Sequence, residues 1–148
     1  MRQILAALAL SLPLAIAGPP AAAEQMQDFG DHVVHFNAVT TDFLSPEVAK
    51  AYGIRRSRTR GLLTVSVMRR LVAGATKPVP ARVEARAVNL AGQLKRIRMR
   101  EIREEGAIYY VGEFPLAGSE TLDFEIEVRP QGVEHPYKVR FRQRFYVP

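Results

Sequence analysis

Apolar and polar residues alternate along most of this chain with a period of two, the spacing of a β-strand that hides one face. In residues 121–129, Leu122, Phe124, Ile126 and Val128 alternate with Asp123, Glu125 and Glu127. In residues 136–147, Tyr137, Val139, Phe141, Phe145 and Val147 alternate with Lys138, Arg140, Arg142 and Arg144, and Gln143 interrupts the apolar row once. Folding these two segments about the loop 130–135 sets Glu127 opposite Lys138, Glu125 opposite Arg140 and Asp123 opposite Arg142. On the other face, the same register pairs Ile126 with Val139 and Phe124 with Phe141. A slip of one residue would send every apolar side chain to solvent. Each cross-strand pair is worth only about 0.2–1 kcal/mol, so the charges select the register more than they hold the sheet.

Five further segments read as strands: 31–39, 61–71, 81–89, 94–103 and 107–116. Turn signals separate them, at Lys77-Pro78 and Pro80, Ala91-Gly92, Glu105-Gly106, Ala117-Gly118-Ser119 and Pro130-Gln131-Gly132. Seven short strands at this spacing predict an all-β, antiparallel sandwich. One segment breaks the pattern. In residues 45–53, Ser45 stands as N-cap, Pro46 at the first helical position, Glu47 in the first turn and Gly53 at the stop. This predicts a two-turn helix between the first and second strands, too short to persist unless packed on the sandwich. Val48 and Tyr52, four apart, are its expected apolar face.

The first residues follow another rule. Arg2 is followed by an uncharged run over 4–17, and Ala21-Ala22-Ala23 then offers a small-x-small site before Glu24. That is the layout of a secretory signal peptide, expected to be cleaved after Ala23, or alternatively after Ala17. The run is shorter than a spanning helix needs and Pro13 interrupts it. Removal of residues 1–23 leaves a 125-residue chain, 24–148, expected to form one domain with 20 Lys and Arg against 15 Asp and Glu, a net charge of +5. Cysteine is absent, which rules out a disulfide, a thiolate metal site, a cysteine nucleophile and a lipidated cysteine at the cleavage site. The expected location is the periplasm, with no transmembrane segment after cleavage.

Two of the three histidines, His32 and His35, lie in the first predicted strand. Strand alternation puts them on opposite faces, so one metal ion cannot use both. His32 is expected at the strand start, partly wetted. His35 shares a face with Asn37, about 7 Å away along the strand. No Gly-x-Ser-x-Gly elbow, phosphate-binding glycine loop or convergent carboxylate pair is evident, so no catalytic residue, metal or cofactor is assigned. Ser57, Thr64 and Ser66 are the hydroxyls a His35-centred hydrolase would draw on.

Basic residues cluster at Arg55, Arg56, Arg58 and Arg60, at Arg69 and Arg70, and at Lys95, Arg96, Arg98 and Arg100. Such surfaces attract acidic proteins, anionic headgroups or lipopolysaccharide phosphates. Export argues against nucleic acid, as does the lack of interleaved aromatic residues.

Phe29-Gly30-Asp31, Val34-His35-Phe36-Asn37, Pro46-Glu47-Val48-Ala49, Tyr52-Gly53-Ile54, Arg56-Ser57 and Gly61-Leu62-Leu63 together resemble the domain-of-unknown-function 4426 family of small exported proteobacterial proteins. The resemblance extends over nearly all of residues 24–148. The family pattern more often has Tyr where this chain has His32 and Phe36. The resemblance implies a sandwich of immunoglobulin-like type and no particular activity. Combined with the residue pattern, it leads to a non-catalytic periplasmic module that binds an envelope protein or anionic envelope component. Its expected working surface is His35, Asn37, Tyr52, Arg56 and Ser57, with Arg56 on the anionic group. A small periplasmic hydrolase centred on His35 is the alternative.

Overall fold

The computed structural model describes residues 24–148; the expected signal peptide, 1–23, lies outside the described residues. Ten strands form two antiparallel sheets. Strands β1 (Gln25–Asp28), β2 (His32–Thr40), β3 (Arg60–Arg70), β4 (Thr76–Pro78), β7 (Arg100–Glu104) and β8 (Ala107–Pro115) make sheet A, in the order β1-β2-β3-β8-β7 with β4 on the free end of β3. Strands β5 (Ala81–Asn89), β6 (Leu94–Ile97), β9 (Glu120–Pro130) and β10 (Tyr137–Phe145) make sheet B, in the order β10-β9-β5-β6. The sheets pack face to face as an immunoglobulin-like sandwich, the expected fold class.

The core is built by alternation. Val34, Phe36 and Ala38 of β2 and Leu63, Val65 and Val67 of β3 meet Leu122, Phe124, Ile126 and Val128 of β9 and Val139 and Phe145 of β10. The Phe124 and Phe141 rings stack at 4.6 Å, and Phe36 tilts onto Phe141 at 4.8 Å. The β9–β10 register is the expected one residue for residue. Arg142 forks onto Asp123 at 2.6 and 2.9 Å, and Arg140 reaches Glu125 at 3.1 Å. Gln143, the interruption in the apolar row, donates from Nε2 to the Ala38 carbonyl at 2.6 Å and so links the two sheets.

Two expectations are corrected. The segment 94–103 is not one strand: β6 pairs with β5 in sheet B, while β7 pairs with β8 in sheet A. The chain changes sheets at Arg98-Met99, pressed against the backbone of β8. A Cβ on Gly112 would lie 2.5 Å from the Ile97 side chain and 2.6 Å from that of Met99, so a larger residue there would have to displace both. The sequence carries its own sign of the break, because apolar positions 94, 97, 99 and 102 do not keep a period of two. The short strands β1 and β4, four and three residues long, are additional to the seven expected.

Helix α1 (Pro46–Tyr52) has the expected ends: Ser45 Oγ accepts from the Val48 N–H at 3.2 Å, and Gly53 adopts φ 65°. Its buried face differs from the expected one. Val48 is exposed, and Ala49 is the buried residue. The small Ala49 side chain lets the helix sit close to the outer face of sheet A. There Tyr52, Leu44 and Ile54 pack with Val39, Leu62 and Val111 in a second apolar cluster.

Candidate functional site

The β2 histidines point to opposite faces, as strand alternation requires. The expectation of a partly wetted His32 is corrected: it is only 8 % exposed. Its Nδ1 lies 3.0 Å from the Tyr137 hydroxyl, and Tyr137 stacks on Phe29 at 4.3 Å, closing the strand start. Burial lowers the pKa of His32; the Asp31 carboxylate opposes this and the Arg69 guanidinium adds to it, so the net effect favours the neutral ring. Burial and Asp31 raise the pKa of the Tyr137 phenol, which keeps its proton.

His35 lies on the outer face of sheet A, with Nδ1 3.3 Å from Glu24 Oε1. Ser66 faces it across the β2–β3 pair, and no hydrogen bond joins the two. Among the described residues, no three His, Asp or Glu side chains are grouped to hold a metal ion.

The five residues of the expected surface fall into two groups. His35 and Asn37 share the outer strip of β2, opposite Ser66 and Thr64. The other three make hydrogen bonds within the fold. Tyr52 donates to Glu104 Oε2 at 3.0 Å on β7. Arg56 donates to the Asp42 carbonyl at 3.0 Å. The Ser57 N–H donates to Thr41 Oγ1 at 2.8 Å, and Thr41 is fully buried. Arg56 and Ser57 thus fasten the loop after α1 to the 3-10 turn Thr41–Phe43.

The expected basic row of 94–103 is dispersed by the sheet crossing. Lys95 turns toward the sandwich edge, bonded to Glu120 at 3.0 Å and to the Pro115 carbonyl at 2.8 Å. Arg100 donates to the Tyr52 carbonyl from sheet A. Arg96 and Arg98 remain on the outer side of sheet B, in an open groove of about 940 Å³ shared with Arg86, Glu84 and Glu125. The outer face of sheet B as a whole holds Arg82, Arg86, Arg96, Arg98, Arg129, Lys138, Arg140, Arg142 and Arg144 against Glu84, Asp123, Glu125 and Glu127.

A second concavity opens at one end of the sandwich, between the β3–β4 hairpin and the β9–β10 loop. It measures about 700 Å³ and is lined by Asp31, His32, Arg69, Arg70, Lys77 and Gln131, among others. Arg70 is bonded to Asp28. Arg69 and Lys77 have no acidic partner among the described residues, yet they face each other in register, with His32 on the other side of Arg69. Sequence reasoning placed Arg69 only in a general basic group. The sign available was its position two residues after the inward Leu63, Val65 and Val67, in a slot that points between the sheets.

These features define a small β-sandwich whose polar chemistry lies on open faces and one end cleft. The chain belongs to the DUF4426 family, described as a domain of unknown function, whose family model matches residues 26–148. It is similar to the crystal structure of a DUF4426 family protein from Pseudomonas aeruginosa, with 38 % identity and a TM-score of 0.72 over 84 % of this chain and 96 % of that one. FetP of uropathogenic E. coli, recombinantly expressed in the periplasm, shares the fold at 9 % identity, with a TM-score of 0.61 over 85 % and 95 % of the two chains. A copper-bound FetP variant gives 9 % and 0.62 over 86 % and 97 %. No curated protein sequence matches the chain. No helix among the described residues is long and apolar enough to cross a membrane.

Proposed function

We propose that the chain is a non-catalytic periplasmic binding module whose partner is an anionic envelope component or an envelope protein with an acidic surface. The leader-like first 23 residues support export. The observation that carries the anionic partner is the outer face of sheet B, where nine Lys and Arg stand against four Asp and Glu. That surplus equals the net +5 of residues 24–148, so the excess charge of the protein is gathered on one face. Cross-strand acids account for Lys138, Arg140 and Arg142 of β10, while Arg144, opposite Thr121, lies over the Tyr146 ring. Arg96, Arg98 and Arg129 have no ion-pair partner among the described residues and are the groups a partner would neutralise.

The His35–Asn37 strip is the second candidate surface, since Tyr52, Arg56 and Ser57 each also make a hydrogen bond within the fold. The clefts of about 700 and 940 Å³ are lined by other residues, which favours binding over a His35-centred hydrolase. Copper is not carried over from the FetP variant, because 9 % identity conveys the fold alone.

The test is crosslinking of the tagged protein in intact cells. The Arg96→Glu/Arg98→Glu variant is compared with the His35→Ala/Arg56→Ala variant. A dominant, salt-sensitive adduct lost only in the first places the partner on sheet B. Loss only in the second moves the working surface to the helix side. An adduct retained in both, or none above background, ends the reading.

A further inference from the structure

The row His32, Arg69 and Lys77 crosses three strands at the mouth of the end cleft. Like charges directly opposite each other destabilise a sheet, and folding alone gives no reason to place Arg69 against Lys77. Two other such pairs exist, Arg82 opposite Arg129 and Arg86 opposite Arg96, but in each of them one member has an acid, Glu84 for Arg82 and Glu125 for Arg86, whereas Arg69 and Lys77 both lack one among the described residues. Here the sole unpaired acid on the lining is Asp31, and no hydrogen bond ties its carboxylate to either cation. The cleft therefore stays positive.

His32 adds direction to that charge. It is nine-tenths buried and lines the cleft, and its Nε2 makes no hydrogen bond among the described residues. The Tyr137 hydroxyl lies 3.0 Å from Nδ1. In the tautomer where the Tyr137 phenol donates to Nδ1, the hydrogen sits on Nε2 and the ring offers an N–H donor to the cleft. Tyr137 is a positioning residue in this arrangement.

We infer that the end cleft is a binding site for a phosphate-like oxyanion, held by the side chains of Arg69 and Lys77 and by the Nε2–H of His32. It is separate from the sheet B face, and its occupant is a compact anion rather than a charged surface. Two sources share this chemistry: a soluble phosphate compound and the headgroup of an anionic lipid. The hairpin beside the cleft bears on the second, since Val72 is 92 % exposed and Leu71 42 % exposed at its tip. An apolar tip above basic residues is the arrangement that lets a protein dip into an anionic membrane surface.

The experiment is an NMR titration of the ¹⁵N-labelled protein, as secreted, with inorganic phosphate and with chloride as control. It is run on the native chain, Arg69→Gln, Lys77→Gln and Arg96→Gln. Saturable shifts at the His32 ring nitrogens and the 69–77 hairpin are expected with phosphate only. Arg69→Gln and Lys77→Gln should each weaken them roughly tenfold, as loss of a charged hydrogen bond does, while Arg96→Gln leaves them unchanged. The source is decided by sedimentation with phosphatidylglycerol or phosphatidylcholine vesicles. Binding to the first alone, lost in Leu71→Asp/Val72→Asp, assigns the lipid headgroup; phosphate binding without vesicle binding assigns a soluble compound. Shifts that rise linearly with either salt, or that survive Arg69→Gln and Lys77→Gln, would overturn the site. The sheet B proposal stands or falls separately, on Arg96 and Arg98.

Discussion

The outer face of sheet B and the mouth of the end cleft are both rich in arginine and lysine, and they differ in how far those cations are supplied with acids. On sheet B, Lys138, Arg140 and Arg142 of β10 face acids of β9, and Glu125 lies between Arg140 and Arg86, while Arg82 faces Arg129 and Arg86 faces Arg96. At the cleft, Arg69 faces Lys77. The acid pairing is what selecting a register requires. The cleft arrangement works against the local fold and becomes favourable when a ligand supplies the missing negative charge. Like-charge register occurs in both regions; what sets the cleft apart is that neither Arg69 nor Lys77 has an acidic partner among the described residues, whereas Arg82 and Arg86 each have one.

The comparison can be broken most severely from the core that supports both. Phe124→Ala removes the ring stacked against Phe141 and edged by Phe114. It should cost about 3–5 kcal/mol, read as a shift in the urea midpoint. Next comes Gly112→Ala, which puts a Cβ 2.5 Å from Ile97 where the chain leaves sheet B for sheet A. About 1–3 kcal/mol is expected from such overpacking, and a neutral result would show that the crossing has room to move.

Lys77→Glu sharpens the contrast directly. An acid opposite Arg69 should stabilise the fold by about 0.2–1 kcal/mol, a small rise in Tm, while abolishing oxyanion binding. A substitution that improves the fold and removes binding would separate the two uses of charge in one experiment.

The smallest effect is a pH dependence. His32 has a folded-state pKa below 6.5, with burial as the leading cause. Between 6.5 and that lower value the unfolded chain binds more protons at this imidazole than the native one. Stability therefore falls as pH drops through the window and is fully present above it. His32→Gln should flatten the stability curve there. Asp28 and Asp123 have lowered pKa values, Asp28 through the Gly30 N–H and Arg70, Asp123 through Arg142. Their contribution is present above the ordinary carboxylate value of 3.8 and lost at more acid pH, so the two windows separate.

The parts of the fold that could be read from sequence are those where two signals coincide. The β9–β10 register follows from apolar alternation on one face and charge complementarity on the other. The bounds of α1 follow from Ser45, Pro46 and Gly53. Its buried face did not follow, because Val48 is the more apolar residue but Ala49 is the one small enough to approach the sheet. Strand β1, Gln-Met-Gln-Asp, is exposed throughout and has no alternation to detect. Strand β4 is three residues long and ends in proline. That last omission also hid half of the cleft: Arg69 was visible as a cation in an inward slot, but Lys77 joins it only through β4. Tyr52, Arg56 and Ser57 drew attention as polar side chains beside a capped helix, and each also makes a hydrogen bond within the fold.

The chain crossing at Arg98-Met99 has a consequence for how the molecule comes apart. One run of ten residues is clipped to sheet B at β6 and to sheet A at β7, so neither sheet can open fully without pulling on the other. Amide hydrogens of β9 and of β3 should then exchange through one shared opening event with a common protection free energy. Only the short β1 and β4 should exchange ahead of the rest. The oxyanion cleft, with β4 as one wall, would lie on the part of the molecule that breathes first.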